Sequence, residues 1–249
     1  MPLLGLIGNP ISHSLSPSIF AEFFASETQE WDYKLFPLDE ISQLYTLIES
    51  QPQLRGLNVT IPYKQQVIPF LHALDSSAEK TGAVNTILIQ GQGQSKQLIG
   101  YNTDTIGFEK SLLEIDTFTN TKALILGTGG ASKAVQFVFT QLQIPFVLIG
   151  RKPALNSVLY GDVTADMIQS HTLIINTTPL GMEPHTEGIP PLDFSALGKE
   201  HVIYDLVYKP AETLLMKTAQ EHGARAFNGL RMLQLQAEAA WELFKANTV

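Results

Sequence analysis

Two short polar stretches and one glycine-rich turn concentrate the residues able to do chemistry in this chain. Asn58-Val-Thr-Ile-Pro-Tyr-Lys64 and Asn102-Thr-Asp104 each follow an apolar run that reads as a strand, and each ends on a chargeable side chain. A lysine and an aspartate presented near strand ends make a workable acid/base pair. Taken singly, Lys64 reads as a solvated cation and Asp104 as the N-cap of the helix that follows. Their joint meaning comes from the third stretch, Gly127-Thr-Gly-Gly-Ala-Ser-Lys-Ala134. It follows an apolar strand directly and opens a helix, the context in which Gly127-x-Gly129-x-x-Ser132 reads as a dinucleotide cradle. Gly127 permits the tight turn, Gly129 lets backbone N–H groups approach a pyrophosphate, and the helix N-terminus adds partial positive charge. A strand–turn–helix without a ligand is the plainer alternative. Together the three stretches point to a redox enzyme whose Lys/Asp pair handles a proton beside a nicotinamide.

The choice of cofactor rests on the end of the next strand. An NAD binder usually places an acid there for the ribose 2′-hydroxyl. Here Leu148-Ile-Gly150-Arg151-Lys152 offers two cations and no carboxylate, which suits a 2′-phosphate and so NADP. A solvated basic loop is the alternative. Ser12-His-Ser14-Leu-Ser16 supplies spaced hydroxyls in the loop after the first strand, and Asn58, Thr60 and Asn85 add amides and a hydroxyl at strand ends. That set suits a small polyhydroxylated acid. It does not suit a metal, and the six histidines show no paired ligand spacing, so no metal site is expected.

The elements that must position these groups read as an α/β pattern. Strands are expected near Leu3–Gly8, Asp32–Phe36, Leu54–Val59, Ala83–Ile89 and Gln97–Tyr101, with Gly91-Gln-Gly93 as a hairpin tip. Helices are expected near Ser16–Ser26, with Ser16 as N-cap and Pro17 at its first position, and near Asp39–Glu49 and Tyr63–Leu71. Helix Thr105–Ile115 leads into a second unit of Rossmann-like order. Its strands are Lys122–Leu126, Phe146–Ile149, Leu173–Asn176, Val202–Leu206 and Ala224–Phe227, and its helices Gly129–Gln141 and Ala211–His222. The stretch between Arg151 and His171 is short, so a helix there is expected to shrink towards a turn. The last helix, Gly229–Ala246, carries Leu233, Ala237, Ala240, Leu243 and Phe244 on one face, with Gln236 inside the stripe. A buried amide needs partners, so this helix is expected to cross back to the first domain and offer Gln236 to its cleft. The expected domains are 1–103 with 229–249, which binds substrate, and 104–228, which binds the dinucleotide.

Composition excludes other classes. With 249 residues, 44% hydrophobic and 16% charged, the chain is globular and large enough for one core or two. A net charge of −8 argues against nucleic acid or an anionic membrane as partner. There are no cysteines, so disulfides and thiolate chemistry are out. No apolar run is long enough to span a bilayer, and the start lacks the basic region of a signal peptide, so the cytoplasm is expected.

In motif content the chain resembles the shikimate dehydrogenase family. The resemblance is carried by Ile7-Gly-Asn-Pro-Ile-Ser-His-Ser-Leu-Ser-Pro17, Asn58–Lys64, Gly82-Ala-Val-Asn-Thr86, Gly100-Tyr-Asn-Thr-Asp104, Gly127-Thr-Gly-Gly-Ala131, Asn176-Thr-Thr-Pro-Leu-Gly-Met182, Tyr204-Asp-Leu-Val-Tyr208-Lys-Pro and Gly229-Leu-Arg-Met-Leu-Gln-Leu-Gln-Ala237, in the family's order over nearly the whole chain. It implies NADP-dependent interconversion of 3-dehydroshikimate and shikimate, a step of aromatic amino-acid (chorismate) biosynthesis, in a monomer or homodimer. It also implies two domains flanking a cleft that closes on substrate. By the resemblance Ser14 and Ser16 hold the substrate carboxylate with Tyr208 nearby. Thr60, Asn85 and Gln236 contact ring hydroxyls or the carboxylate, and Lys64 and Asp104 are the catalytic pair. Gly127, Gly129, Gly130 and Ala131 form the cradle, Arg151 and Lys152 meet the 2′-phosphate, Thr177 also binds the cofactor, and Met182 and Gly229 lie near the nicotinamide. Family members that prefer NADP often carry Asn-Arg-Thr where this chain has Gly150-Arg151-Lys152. A quinate/shikimate dehydrogenase that also uses NAD is the nearest rival reading. A non-catalytic NADP sensor is a rival of another class, and retention of both Lys64 and Asp104 argues against it.

Overall fold

The computed structural model describes residues 1–91, 93–152 and 157–247. It divides into two compact units, Met1–Gly107 with Gln234–Val249 and Phe108–Leu233. In the first unit the strands are β1 (Leu3–Gly8), β2 (Asp32–Pro37), β3 (Leu54–Val59), β4 (Ala73–Leu74), β5 (Thr86–Gln90) and β6 (Gln97–Tyr101). They form one sheet in the order β2-β1-β3-β5-β6-β4. Only β5 runs against its neighbours, so the sheet is mainly parallel. The helices of this part are α1 (Ser16–Phe24), α2 (Leu44–Ser50), α3 (Tyr63–Gln66) and α4 (Ser76–Thr81).

Helix α5 (Asp104–Ile115) carries the chain into the second unit. There follow β7 (Ala123–Leu126), α6 (Gly130–Gln141), β8 (Phe146–Gly150), β9 (Ser157–Leu159), α7 (Ala165–Ser170), β10 (Leu173–Asn176), β11 (Val202–Asp205), α8 (Leu214–Glu221) and β12 (Arg225–Asn228). Helix α9 (Leu230–Ala246) begins in the second unit and ends in the first. The second sheet is wholly parallel in the order β12-β11-β10-β7-β8-β9, the doubly wound order of a Rossmann fold. Its topological switch lies between β7 and β10, where such folds bind their ligands.

The central strands explain themselves. β1, β7, β10 and β11 have no exposed position, and their apolar runs are continuous because helices cover both faces of each sheet. In the first sheet Leu3, Ile7, Leu57 and Ile87 pack on one side with Leu44 and Ile48 of α2. On the other side Leu4 and Leu88 meet Phe20 of α1 and Ala237, Ala240, Trp241 and Phe244 of α9. Gly56 of β3 has to be glycine, because the Phe244 ring fills the space a Cβ would need. Removing that ring would cost about 3–5 kcal/mol.

Several elements differ from the sequence reading. Ser16 is the first residue of α1 and not its cap: Leu15 holds the cap position, with no cap bond from its own side chain. Residues 83–85 are not part of a strand, with a bend at Asn85, so β5 starts at Thr86. The expected helices over 39–49 and 63–71 each include a 3₁₀ turn, Ile41–Gln43 and Ile68–Phe70. Helix α4 was not expected, although Asp75 caps it by accepting from the Ala78 amide and Gly82 ends it in the left-handed region, a readable pair of signals. Between Arg151 and His171 the structure keeps a six-residue helix, α7, capped by Thr164, where a turn was expected, with the edge strand β9 before it. The expected hairpin tip includes Gln92, which lies outside the described residues.

Candidate functional site

In the first unit the polar residues singled out by sequence meet at one place. Lys64, on the short α3, donates from Nζ to Asp104 Oδ2 at 2.7 Å. The side chains retain 20% and 9% of their exposure, so the pair is sheltered but open on the lysine side. Asp104 is the first residue of α5, and its carboxylate serves the ion pair instead of capping the helix. Its other oxygen, Oδ1, accepts from Asn85 Nδ2 at 2.9 Å.

Asn85 is the hub. Its backbone ties two strands together, accepting from the Val59 amide at 2.7 Å and donating to the Tyr101 carbonyl at 3.0 Å. Its side-chain Oδ1 accepts from the Thr103 backbone amide at 2.7 Å. A backbone N–H can only donate, so the amide is locked with oxygen towards Thr103 and nitrogen towards Asp104. The same nitrogen reaches Gln236 Oε1 at 3.2 Å, so α9 delivers Gln236 to this site. Both residues lie in the first unit.

Ser14 and Ser16 form a compact hydroxyl pair. Ser14 Oγ donates to Ser16 Oγ at 3.1 Å and accepts from the Ser16 amide at 3.2 Å. Thr60 is fixed by its backbone, donating to the Ile7 carbonyl at 3.0 Å and accepting from the Tyr63 amide at 2.9 Å. Its methyl fills the space a side chain at Gly8 would need. Tyr33, Thr86 and Thr103 also join this polar cluster. Sequence reading gave them no role of their own. Tyr33 passes as one more aromatic on an edge strand, and only its polar tip hints otherwise.

The second unit holds the glycine turn. Gly127 has φ +107° and donates to the Ile149 carbonyl at 2.8 Å, which ties the turn to β8. A Cβ there would sit 2.7 Å from Thr177 Oγ1. A Cβ at Gly129 would meet no protein atom within 4 Å, so the space before α6 is free of protein. Gly129 is the N-cap, no side chain caps the helix, and Gly130 and Ala131 open its first turn. Ser132 turns its hydroxyl back to the Gly129 carbonyl at 2.7 Å. Uncapped amides facing open space at a helix N-terminus, at the switch point of a parallel sheet, fit a dinucleotide pyrophosphate.

Around the turn, Arg151 and Lys152 are exposed just past β8. Thr177 is fixed to the end of β7, with hydroxyl and amide both donating to the Leu126 carbonyl. Met182 is exposed at 41%. Tyr208 is half-buried, and burial pushes its phenol above the usual range. Gly229 packs its Cα against the Leu206 carbonyl so closely that no side chain fits, a structural demand that would hold with or without a ligand. Sequence reading missed Asp205. Its carboxylate is fully buried and accepts from Asn176 Nδ2 at 2.8 Å, the Val207 amide at 3.1 Å and Thr213 Oγ1 at 2.6 Å. Desolvation raises its pKa, and those three donors oppose the rise.

Residues 6–87 match the family model described as the shikimate dehydrogenase substrate binding domain. The NADP(+) shikimate dehydrogenase of Carboxydothermus hydrogenoformans is 38% identical over 96% of this chain and 90% of its own. A crystal structure of shikimate 5-dehydrogenase from Thermus thermophilus, in complex with NADP(H) and shikimate, superposes with a TM-score of 0.86. It is 29% identical over 99% of this chain and 94% of that one. Quinate dehydrogenase from Corynebacterium glutamicum, in complex with NAD, gives a TM-score of 0.84 at 29% identity, over 98% of this chain and 94% of that one. The extent and level of identity, together with a matching two-sheet fold, show that this chain belongs to the shikimate dehydrogenase family.

Proposed function

We propose that this protein catalyses the reversible, NADPH-dependent reduction of 3-dehydroshikimate to shikimate, with the first unit binding substrate and the second binding NADP. The observation that carries the reading is the sheltered Lys64–Asp104 ion pair, held by an orientation-locked Asn85. The bound cofactor supplies the hydride. Lys64 donates the proton to the oxygen of the carbon being reduced, or steadies the charge growing on it, and Asp104 keeps the ammonium aimed there. Asn85, Gln236 and Thr60 orient the ring hydroxyls, while Ser14 and Ser16 take the carboxylate. Gly127, Gly129, Gly130 and Ala131 receive the pyrophosphate, Arg151 and Lys152 the 2′-phosphate. Thr177, Met182 and Gly229 shape the nicotinamide side.

A steady-state assay with shikimate and quinate, each with NADP and with NAD, tests this. Turnover concentrated on shikimate with NADP is expected. Comparable turnover of quinate, or with NAD, would move the protein to the dual-specificity group that the likeness to a quinate dehydrogenase keeps open. Folded protein that binds NADP and turns over nothing would be a sensor. We place the enzyme in the cytoplasm as a monomer or homodimer; no described helix is long and apolar enough to cross a membrane. Sedimentation would decide the oligomeric state.

A further inference from the structure

Tyr33 lies on the edge strand β2, with its ring stacked on Phe20 at a centroid distance of 4.4 Å. Its hydroxyl is 2.9 Å from Asn58 Oδ1. From there an unbroken series of polar contacts crosses the sheet. Asn58 Nδ2 lies 3.2 Å from Thr86 Oγ1, and Thr86 Oγ1 lies 3.1 Å from Asn85 Oδ1. Asn85 Nδ2 then reaches Asp104 Oδ1 at 2.9 Å, and Lys64 closes the series on Oδ2 at 2.7 Å.

One direction runs through the whole series, with Thr103 Oγ1 at 3.3 Å as the competing partner of the Thr86 hydroxyl. The Thr103 amide fixes Asn85 with its oxygen away from Asp104. That oxygen can only accept, so Thr86 gives it its proton. Thr103 Oγ1, 3.2 Å away, shares the same acceptor. The Thr86 oxygen is then left to accept from Asn58, which must present Nδ2 and turn Oδ1 to Tyr33. The phenol therefore donates. Burial pushes its pKa far above the usual range, against a smaller opposing effect of Ser16, so it keeps its proton at neutral pH. Every bond from Tyr33 to Asp104 points the same way, and bonds so aligned polarise one another. Without the phenol, the Asn58 oxygen would be a buried acceptor with no donor, free to flip and reverse Thr86.

We propose that Tyr33 is a positioning residue of this site: acting through Asn58, Thr86 and Asn85, it sets the amide that holds Asp104 against Lys64. This rests on the reading of the Lys64–Asp104 pair as the catalytic pair. Tyr33→Phe removes one oxygen and leaves the stack on Phe20. Measured beside the wild type, it is expected to lower kcat/KM for shikimate about three- to tenfold, the effect of one hydrogen bond. KM for NADP should not change, and in an Asn58→Ala background the substitution should cost nothing further. Unchanged kcat/KM, an equal rise in KM for NADP, or losses that multiply in the double variant would overturn the proposal. A second readout needs no turnover. In ligand-free protein, Tyr33→Phe should shift the NMR resonances of the Thr103 backbone amide and the Asn85 side-chain amide, which Tyr33 does not touch. If those resonances stay in place, the proposal fails. A wild-type protein inactive on shikimate would refute the functional assignment instead, and the NMR result would still decide Tyr33.

Discussion

Each unit buries a carboxylate close to a strand end, and the two are satisfied in opposite ways. Asp104 faces a cation, Lys64, and takes one amide donor from Asn85. Asp205 faces no lysine or arginine among its described partners and is held by two N–H groups and a hydroxyl. An ion pair with its lysine partly open can exchange a proton with a substrate. A carboxylate closed in by neutral donors, all of them also holding backbone, is architecture. Asn176, which donates to Asp205, accepts from both the amide and the hydroxyl of Thr178, and Thr213 caps α8. Asp205 thereby ties the loop after β10 to the loop after β11. The same contrast runs through the two proposed binding regions. The substrate side is a saturated side-chain network, whereas the cofactor side is mostly backbone facing open space.

The sharpest way to break this contrast is to remove the cation. Lys64→Ala should lower kcat about 10²–10⁴-fold in the shikimate–NADP assay, with a much smaller change in KM. Near-normal kcat would remove Lys64 from the chemistry and make the Asp104 pair as architectural as Asp205. The cradle should respond differently. Gly127→Ala places a Cβ where φ is +107° and Thr177 Oγ1 lies 2.7 Å away. We expect KM for NADP to rise about 10- to 100-fold, from backbone strain of about 1–2 kcal/mol plus the displaced turn. Normal NADP binding by this variant would mean that the turn does not need its left-handed glycine.

What the sequence revealed follows the same division. Lys64, Asp104, Asn85 and Gln236 could be picked out because each is a polar residue at a strand end or within an apolar stripe, and the structure gathers all four. The Rossmann-like unit was legible because its central strands are buried on both faces and carry unbroken apolar runs. Asp205 was not legible. In Tyr204-Asp-Leu-Val-Tyr208 a carboxylate at a strand end looks like a surface acid, and only its partners Asn176 and Thr213, on other elements, reveal its burial. Tyr33 was hidden for the same reason, since its partner Asn58 is on another strand. Ser16 was misread because Ser-Pro imitates a cap, while the helix begins one residue earlier. Local signals fix elements; polar partners brought together by the fold do not show in a single sequence.

A smaller effect tests the cation at the cradle. Arg151 is exposed beyond β8, and its role in the proposed function is to meet a 2′-phosphate. Arg151→Ala should raise KM for NADP about tenfold, since a charge-assisted bond is worth about 1.5–3 kcal/mol and an exposed one sits at the low end. KM for NAD should stay put. Equal losses for both cofactors would assign Arg151 to adenosine packing, and no loss would pass the phosphate to Lys152.

The smallest predicted effect sharpens the opening contrast most. Desolvation holds the pKa of Asp205 above its ordinary value, ahead of the opposing hydrogen bonds from Thr213, Val207 and Asn176. A carboxyl group raised on folding contributes stability that is fully present below its unfolded pKa of about 4 and is lost as pH rises through the folded value. At neutral pH the fold therefore bears the cost of burying this charge. Asp205→Asn keeps an acceptor for Asn176 and Val207, turns Nδ2 towards the Thr213 oxygen, and removes the charge. In denaturant melts the variant should be as stable as wild type or up to about 1 kcal/mol more stable at pH 7, with the gap closing towards pH 4. A variant less stable than wild type at pH 7, with the deficit shrinking as pH falls below about 4, would show that the anion's hydrogen bonds outweigh its burial. Asp104→Asn offers the counterpart. It strands the Lys64 ammonium beside a neutral amide, so its loss should appear in kcat more than in the melt. Were both variants to lose stability alone, the two carboxylates would be doing one job, and the division between a reacting and a structural acid would fall.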